Sequence, residues 1–182
     1  SYVWSVNWSY DDKYIAVAID SDPKYDLFVY SFNGSSLSFL DGVDLIGTGY
    51  SVRWHPNANS PYYIAVGTSN STSELQLFSF DASTNTISLQ DSIDMFASVT
   101  AVAWSPDGNH LAVGLSSSVV SVYLFSESSL EKPVAVKLPS PNMSVEEDAL
   151  NWDSTGNYLA VGVSSSVSGD ANLLVYSFDG SI

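Results

Sequence analysis

Any chemistry in this chain would have to come from two histidines, a large set of carboxylates and several serine runs, because the sequence contains no cysteine. That removes disulfides, zinc-thiolate sites and thiol nucleophiles together. His55 stands between Trp54 and Pro56 in a turn, and His110 has no second histidine beside it. A His-based metal site or a Ser-His-Asp triad therefore has no visible partner set. The densest carboxylate groups are Asp20-Ser21-Asp22 and Glu146-Glu147-Asp148. Neither has the spacing and glycine of a calcium loop, and a general acid needs a burial that loop carboxylates seldom have, so both read as solvated loop charge. The runs Ser116-Ser117-Ser118 and Ser164-Ser165-Ser166 lie outside any Gly-x-Ser-x-Gly elbow and read as flexible polar loops. The expectation is no catalytic residue, no metal and no cofactor.

What positions these groups is an internal repeat. Trp8, Trp54, Trp104 and Trp152 stand 46, 50 and 48 residues apart. Each precedes an apolar tetrad: Ile15-Ala16-Val17-Ala18, Ile64-Ala65-Val66-Gly67, Leu111-Ala112-Val113-Gly114 and Leu159-Ala160-Val161-Gly162. A period in the 40s marks an array of one supersecondary unit. Within a unit, strand A alternates, as in Val102-x-Trp104, so its two large residues share a face. A turn such as Ser105-Pro106-Asp107-Gly108 follows, with proline presetting φ and glycine accepting a positive one. Strand B is the tetrad, apolar at consecutive positions because both its faces are covered, and small where neighbouring sheets converge.

Strand C is rich in β-branched and aromatic residues: Leu27 to Phe32, Leu75 to Phe80, Val122 to Ser126 and Leu173 to Phe178. Strand D is more polar, over Leu37 to Leu45, Ile87 to Met95 and Pro133 to Leu138, and Asp41, Asp44, Asp91, Asp94 and Lys137 would protect its open edge from aggregation. Four antiparallel strands with a weak outer strand make a propeller blade. The reading is an all-β chain, a β-propeller built from four blades of four antiparallel strands, with the last blade lacking its outer strand. It forms one array over 1–182, with blades at approximately 1–46, 47–96, 97–144 and 145–182. The four tryptophans are all expected to be buried. His110 aligns with Tyr14, Tyr63 and Tyr158 and should be a half-buried packing ring. Arg53, the only arginine, is accounted for by an acidic neighbour or by the ring channel. Trp4, outside the repeat, suits either packing on a neighbouring blade or an exposed platform.

The segment Ala103-Trp104-Ser105-Pro106-Asp107-Gly108-Asn109-His110-Leu111-Ala112-Val113-Gly114 resembles the A-to-B segment of WD40 repeats, with weaker copies in the other units. It departs from that pattern in lacking the Gly-His before strand A. The Trp-Asp that closes strand C is replaced by Tyr30-Ser31, Phe78-Ser79, Phe125-Ser126 and Tyr176-Ser177. The chain is thus similar to relaxed, bacterial-style WD40-like propellers. The resemblance implies a non-enzymatic scaffold or protein-interaction module that binds through its D-to-A and B-to-C loops, here carrying Asp20, Asp22, Tyr25, Tyr50, Phe96, Glu146 and Glu147. Two readings compete with it. A metal-dependent, lactonase-like hydrolase would need a ring of inward ligands, yet Asn7 and Asn151 share their strand A position with Arg53 and Ala103. A glycan-binding propeller would need an exposed tryptophan in each blade.

Charge narrows the partners. Twenty acidic residues against five basic ones give a formal charge of −15, which repels nucleic acid and anionic membrane surfaces. Asn-x-Ser/Thr triplets begin at Asn7, Asn33, Asn70 and Asn142, a pattern that any chain rich in Ser and Asn produces by chance. The end units show no capping sequence, so their outer faces should be as adhesive as the internal ones. Two chains joined head to tail would close an eight-bladed homodimeric ring. Blades on other polypeptide would serve equally.

Overall fold

Each repeat folds as one antiparallel sheet whose strands follow chain order. In the computed structural model, which describes residues 2–20, 24–57, 59–69, 72–137, 143–165 and 172–179, the first blade is β1 (Val3–Trp8), β2 (Tyr14–Ile19), β3 (Leu27–Phe32) and β4 (Leu37–Val43). The second is β5 (Gly49–Trp54), β6 (Tyr62–Thr68), β7 (Leu75–Asp81) and β8 (Thr86–Ile93). The third is β9 (Val99–Trp104), β10 (His110–Leu115), β11 (Val119–Ser126) and β12 (Ser129–Lys137). The fourth has three strands among the described residues, β13 (Met143–Trp152), β14 (Tyr158–Ser165) and β15 (Leu173–Ser177). The inner strands β1, β5, β9 and β13 pack side by side around the channel.

The A-to-B turns show why the local sequence folds this way. In blade three the Asp107 carboxylate accepts from the Ser105 hydroxyl at 2.5 Å and from the Asn109 amide at 3.0 Å, while His110 N–H donates back to Ser105 Oγ at 3.0 Å. Ser9 and Asp11 repeat the device in blade one. In blade four Asp153 does both jobs, taking the Thr155 hydroxyl and the Tyr158 amide. Polar side chains thereby satisfy turn amides that no strand can reach.

Register explains the interfaces. Trp54, Ile64 and Phe78 share one row and face blade one, where Ala16, Leu27 and Val29 receive them in a common core. The same bulky face packs on small or aliphatic residues at the next two junctions, Trp104 and Leu111 on Ala65 and Leu77, then Trp152 and Leu159 on Ala103 and Ala112. A hydrogen-bond ladder runs through these faces. The indole N–H groups of Trp54, Trp104 and Trp152 donate to the carbonyls of Asn7, Arg53 and Ala103 at 3.1, 3.2 and 3.0 Å. A buried indole thus both fills the joint and meets its polar requirement.

Trp8 departs from the expected burial. It is 45% exposed, against 5%, 9% and 7% for Trp54, Trp104 and Trp152, because among the described residues no blade packs on that face of blade one. Its alignment in the repeat is unchanged, since it pairs with Ile15 as Trp104 pairs with Leu111. Val6 is exposed beside it, while its equivalents Val52, Val102 and Leu150 are buried. At the other end Leu173 and Val175 are exposed where Leu27, Leu75, Val120 and Val29, Leu77, Val122 are buried.

Three further expectations change. Asp41 and Asp91 are clamps between blades: Asp41 Oδ2 accepts from the Ile87 amide at 2.8 Å, and Asp91 Oδ2 from the Leu130 amide at 2.9 Å. β12 begins at Ser129, before the expected Pro133, because Glu127 and Ser128 both take positive φ, 48° and 73°, in a tight hairpin. Ser164 and Ser165 belong to β14, and Ser116 to Ser118 form a tight turn with Ser118 at φ 61°, so neither run is a loose loop among the described residues.

Candidate interaction surface

The D-to-A and B-to-C connections lie at one rim, the A-to-B turns at the other, and the described residues expected to bind a partner divide between four places. Asp20 and Tyr50 meet the N-terminal segment: Asp20 Oδ1 accepts from the Tyr2 amide at 2.7 Å, and Tyr50 packs edge-on against Trp4 at 5.4 Å. Trp4 is therefore a packing residue on blade two that keeps one side in solvent. Phe96 is 85% exposed in the connection between β8 and β9, held at φ 58° with its amide on Asp94. Tyr25 is elsewhere. Its ring lies over Gly42 and stacks with Phe39 on the free face of blade one. Asp22 lies outside the described residues.

Glu146 and Glu147 are exposed, but the segment carrying them is part of β13, not a loop. Val145 pairs with Val163 and Leu150 with Val161, so four residues bulge opposite Gly162. The bulge drives Asp148, at φ 58°, across the channel. Its Oδ1 lies 2.6 Å from Arg53 Nη2 and accepts from the Ser51 hydroxyl at 2.8 Å, and its Oδ2 is 3.4 Å from Ser5 Oγ. One carboxylate of blade four thus ties together the inner strands of blades one and two. This is the acidic neighbour expected for Arg53, and sequence reasoning missed its identity. On the A-to-B side of this knot opens a cavity of about 450 Å³, lined in part by Asn7, Arg53, Trp104, Asp148 and Asn151. Asp148→Ala should lower unfolding stability by about 2 kcal/mol in urea titrations, above the worth of an exposed pair, because Arg53 keeps a charge largely withdrawn from water.

His55 is the second residue whose role differs from its appearance in sequence. It takes the place of Ser105 in blade two and is buried against Trp104, Tyr63 and Phe125. Its Nδ1 accepts from the Asn57 amide at 3.1 Å and its Nε2 lies 2.9 Å from the Gly108 carbonyl, which fits the neutral ring with its proton on Nε2. Gly108, at φ 75°, leaves room for that ring, since a Cβ there would lie 2.5 Å from it. Burial lowers the His55 pKa, and the Gly108 carbonyl only partly opposes this. A base with a depressed folded pKa stabilises the fold above its unfolded pKa, near 6.5, and that contribution is lost as pH falls below it. The melting temperature should therefore drop more between about pH 7.5 and about pH 5.5 in the native chain than in His55→Phe. His110 is the packing ring expected, edge-on to Phe178 at 4.9 Å.

Asp11 joins blades one and two from the turn side. Partial burial works against its charge, but Lys13, the Ser9 hydroxyl and the Tyr62 hydroxyl outweigh it and hold the carboxyl at about 2. The ion pair with Lys13 spans 2.9 Å and the bond from Tyr62 is also 2.9 Å.

With this geometry in hand, comparison with known proteins is informative about the fold. The WD40 family model (WD domain, G-beta repeat) matches residues 91–123, from the end of β8 into β11. The repeats are WD40-like. Among solved structures, the Cps50 (Swd1) β-propeller domain of Myceliophteria thermophila aligns at 15% identity and TM-score 0.63, covering 88% of this chain and 48% of that one. The periplasmic gluconolactonase PpgL of Pseudomonas aeruginosa aligns at 18% identity and TM-score 0.77, covering 96% of this chain and 53% of that one. The chain spans about half the length of each propeller. No curated protein matches the sequence significantly. The WD40-like propeller supports a protein-interaction scaffold in general terms.

Proposed function

We propose that the chain is a non-enzymatic interaction module, a rigid WD40-like scaffold that offers its D-to-A and B-to-C loops to a protein partner and completes its ring by self-association. The observation that carries this reading is the pair of bare end faces, Val6 and Trp8 on blade one and Leu173 and Val175 on blade four. Apolar faces whose equivalents are buried at every internal junction call for a partner. Two copies joined head to tail give eight blades. The loop-face contacts are Asp20, Tyr50, Phe96, Glu146 and Glu147, of which Phe96 offers the largest free apolar area. Light scattering should find a stable species at twice the 19.6 kDa chain mass. A well-behaved monomer would refute self-association.

A second reading, a hydrolase working in the channel, draws on the likeness to a gluconolactonase. The strand position that would have to supply a ring of ligands holds Asn7, Arg53, Ala103 and Asn151, and Arg53 is engaged by Asp148. Lactone hydrolysis assayed with added divalent cations, and abolished by Asp148→Asn, would favour this reading over the scaffold.

A further inference from the structure

The internal junctions share a second contact besides the indole ladder. The ring that precedes each tetrad packs against a phenylalanine of the following blade: Tyr14 on Phe80, Tyr63 on Phe125 and His110 on Phe178, with centroids 5.0, 5.1 and 4.9 Å apart. In both contacts the earlier blade supplies one half, a strand A carbonyl and a ring, and the later blade supplies the other, an indole N–H and a phenylalanine. Followed along the chain, each contact leaves two halves over. Blade one presents Trp8 and Phe32, which touch each other at 5.5 Å as Trp54 and Phe80 do at 5.9 Å. Blade four presents Asn151 and Tyr158, and Tyr158 is exposed. The leftover halves are complementary.

Asparagine at position 151 adds a specific feature. At the first junction Asn7 does more than offer its carbonyl, since its Oδ1 accepts from the Trp54 backbone amide at 2.9 Å. Arg53 and Ala103 cannot repeat this bond at the second and third junctions, and only Asn151 restores the side chain that made it. Resting on the self-association reading, we propose that the fourth junction is a copy of the first, formed between two chains. Asn151 and Tyr158 of one chain receive Trp8 and Phe32 of the partner subunit, with the partner's Trp8 donating its indole N–H to the Asn151 carbonyl and its backbone amide to Asn151 Oδ1. Each chain then uses both faces.

The joint is heterologous, head to tail, and this separates it from a dimer built by pairing two identical faces. The test uses light scattering and dilution of the full chain with four variants at exposed positions. Asn151→Ala and Trp8→Phe each remove hydrogen bonding while leaving the blades packed. Each should weaken the dimer about fivefold per junction, hence roughly twenty-five-fold across the two junctions of a ring. Val6→Asp blocks only the blade-one face and Val175→Asp only the blade-four face, so each alone should be monomeric. Their equimolar mixture should re-form a species of two chains through the one intact pair of faces. A native dimer in which Asn151→Ala and Trp8→Phe change nothing, or in which Val175→Asp remains dimeric while Val6→Asp does not, overturns this joint and leaves self-association standing. A native chain that is monomeric at every concentration overturns both. Circular dichroism of each variant, superimposable on the native spectrum, establishes that a lost dimer is not a lost fold.

Discussion

Trp104→Ala is expected to cost about 3–5 kcal/mol of unfolding stability, whereas Trp8→Ala, at concentrations where chains are separate, costs about 1 kcal/mol or less. The two residues hold the same repeat position but differ in surroundings. Trp104 sits between blades two and three, with His55 at 4.8 Å and Phe125 at 5.1 Å, and its indole satisfies the Arg53 carbonyl. Truncation leaves a cavity that rigid sheets on either side cannot close and strips a hydrogen bond from the joint. Trp152, bonded to the Ala103 carbonyl and packed on Phe178, should behave as Trp104 does. Trp8 is half exposed to solvent, and its aromatic neighbour among the described residues is Phe32 of its own blade. Denaturant titration of the three variants checks the contrast. Equal losses at positions 8 and 104 would mean that blade one is covered even in the separate chain.

That contrast also marks what the sequence can reveal. The repeat was legible because each junction is solved by the same chemistry, an indole against small residues, so tryptophan and tetrad recur at a fixed interval. Burial of a particular tryptophan depends on whether another blade lies in front of it, which spacing does not state. The fate of Asp148 was hidden for a different reason. Glu146-Glu147-Asp148 looks like loop charge until Leu150 and Val145 are both paired to β14, and only then must the residues between them bulge toward the channel. The one available signal was Arg53, a lone arginine on an inner strand that needed an acid. Nothing nearby in sequence named Asp148. The aspartates of β4 and β8 were likewise visible as edge residues, but their bonds to Ile87 and Leu130 exist only once adjacent blades are set side by side. His55 resembles a turn histidine without partners because, beyond the Asn57 amide of its own turn, the group that meets its Nε2 is the Gly108 carbonyl on the next blade.

Gly67→Ala carries the second large effect, about 3 kcal/mol, and tests the claim that the tetrads are small because blades converge there. A Cβ on Gly67 would lie 2.5 Å from Val99 Cγ1 and 2.7 Å from the Val99 carbonyl oxygen. A methyl can rotate away, but the carbonyl belongs to the inner strand of blade three and can yield only by moving that strand. Blade one shows the same joint solved with the volumes exchanged. Ala18 occupies the tetrad position, and Gly49 stands opposite, where an added Cβ would come within 3.1 Å of Ala18 Cβ. The side-chain part of the clash in Gly67→Ala, with Val99 Cγ1 and Cβ, should therefore ease when the facing residue shrinks, while the contact with the Val99 carbonyl remains. Combined with Val99→Gly, which recreates the Ala18–Gly49 pairing, Gly67→Ala should cost less than the sum of the two single changes, with a coupling of about 1 kcal/mol or more. Gly162→Ala provides the comparison at the free end. Its Cβ would come within 2.9 Å of Ala149 Cβ, with the Ala149 carbonyl oxygen at an ordinary 3.6 Å, on a bulge that can give way, so a loss near 1 kcal/mol is expected. Strict additivity at positions 67 and 99 would show that the Val99 carbonyl, which Val99→Gly leaves in place, and not the Val99 side chain sets the cost of filling the space between the converging blades.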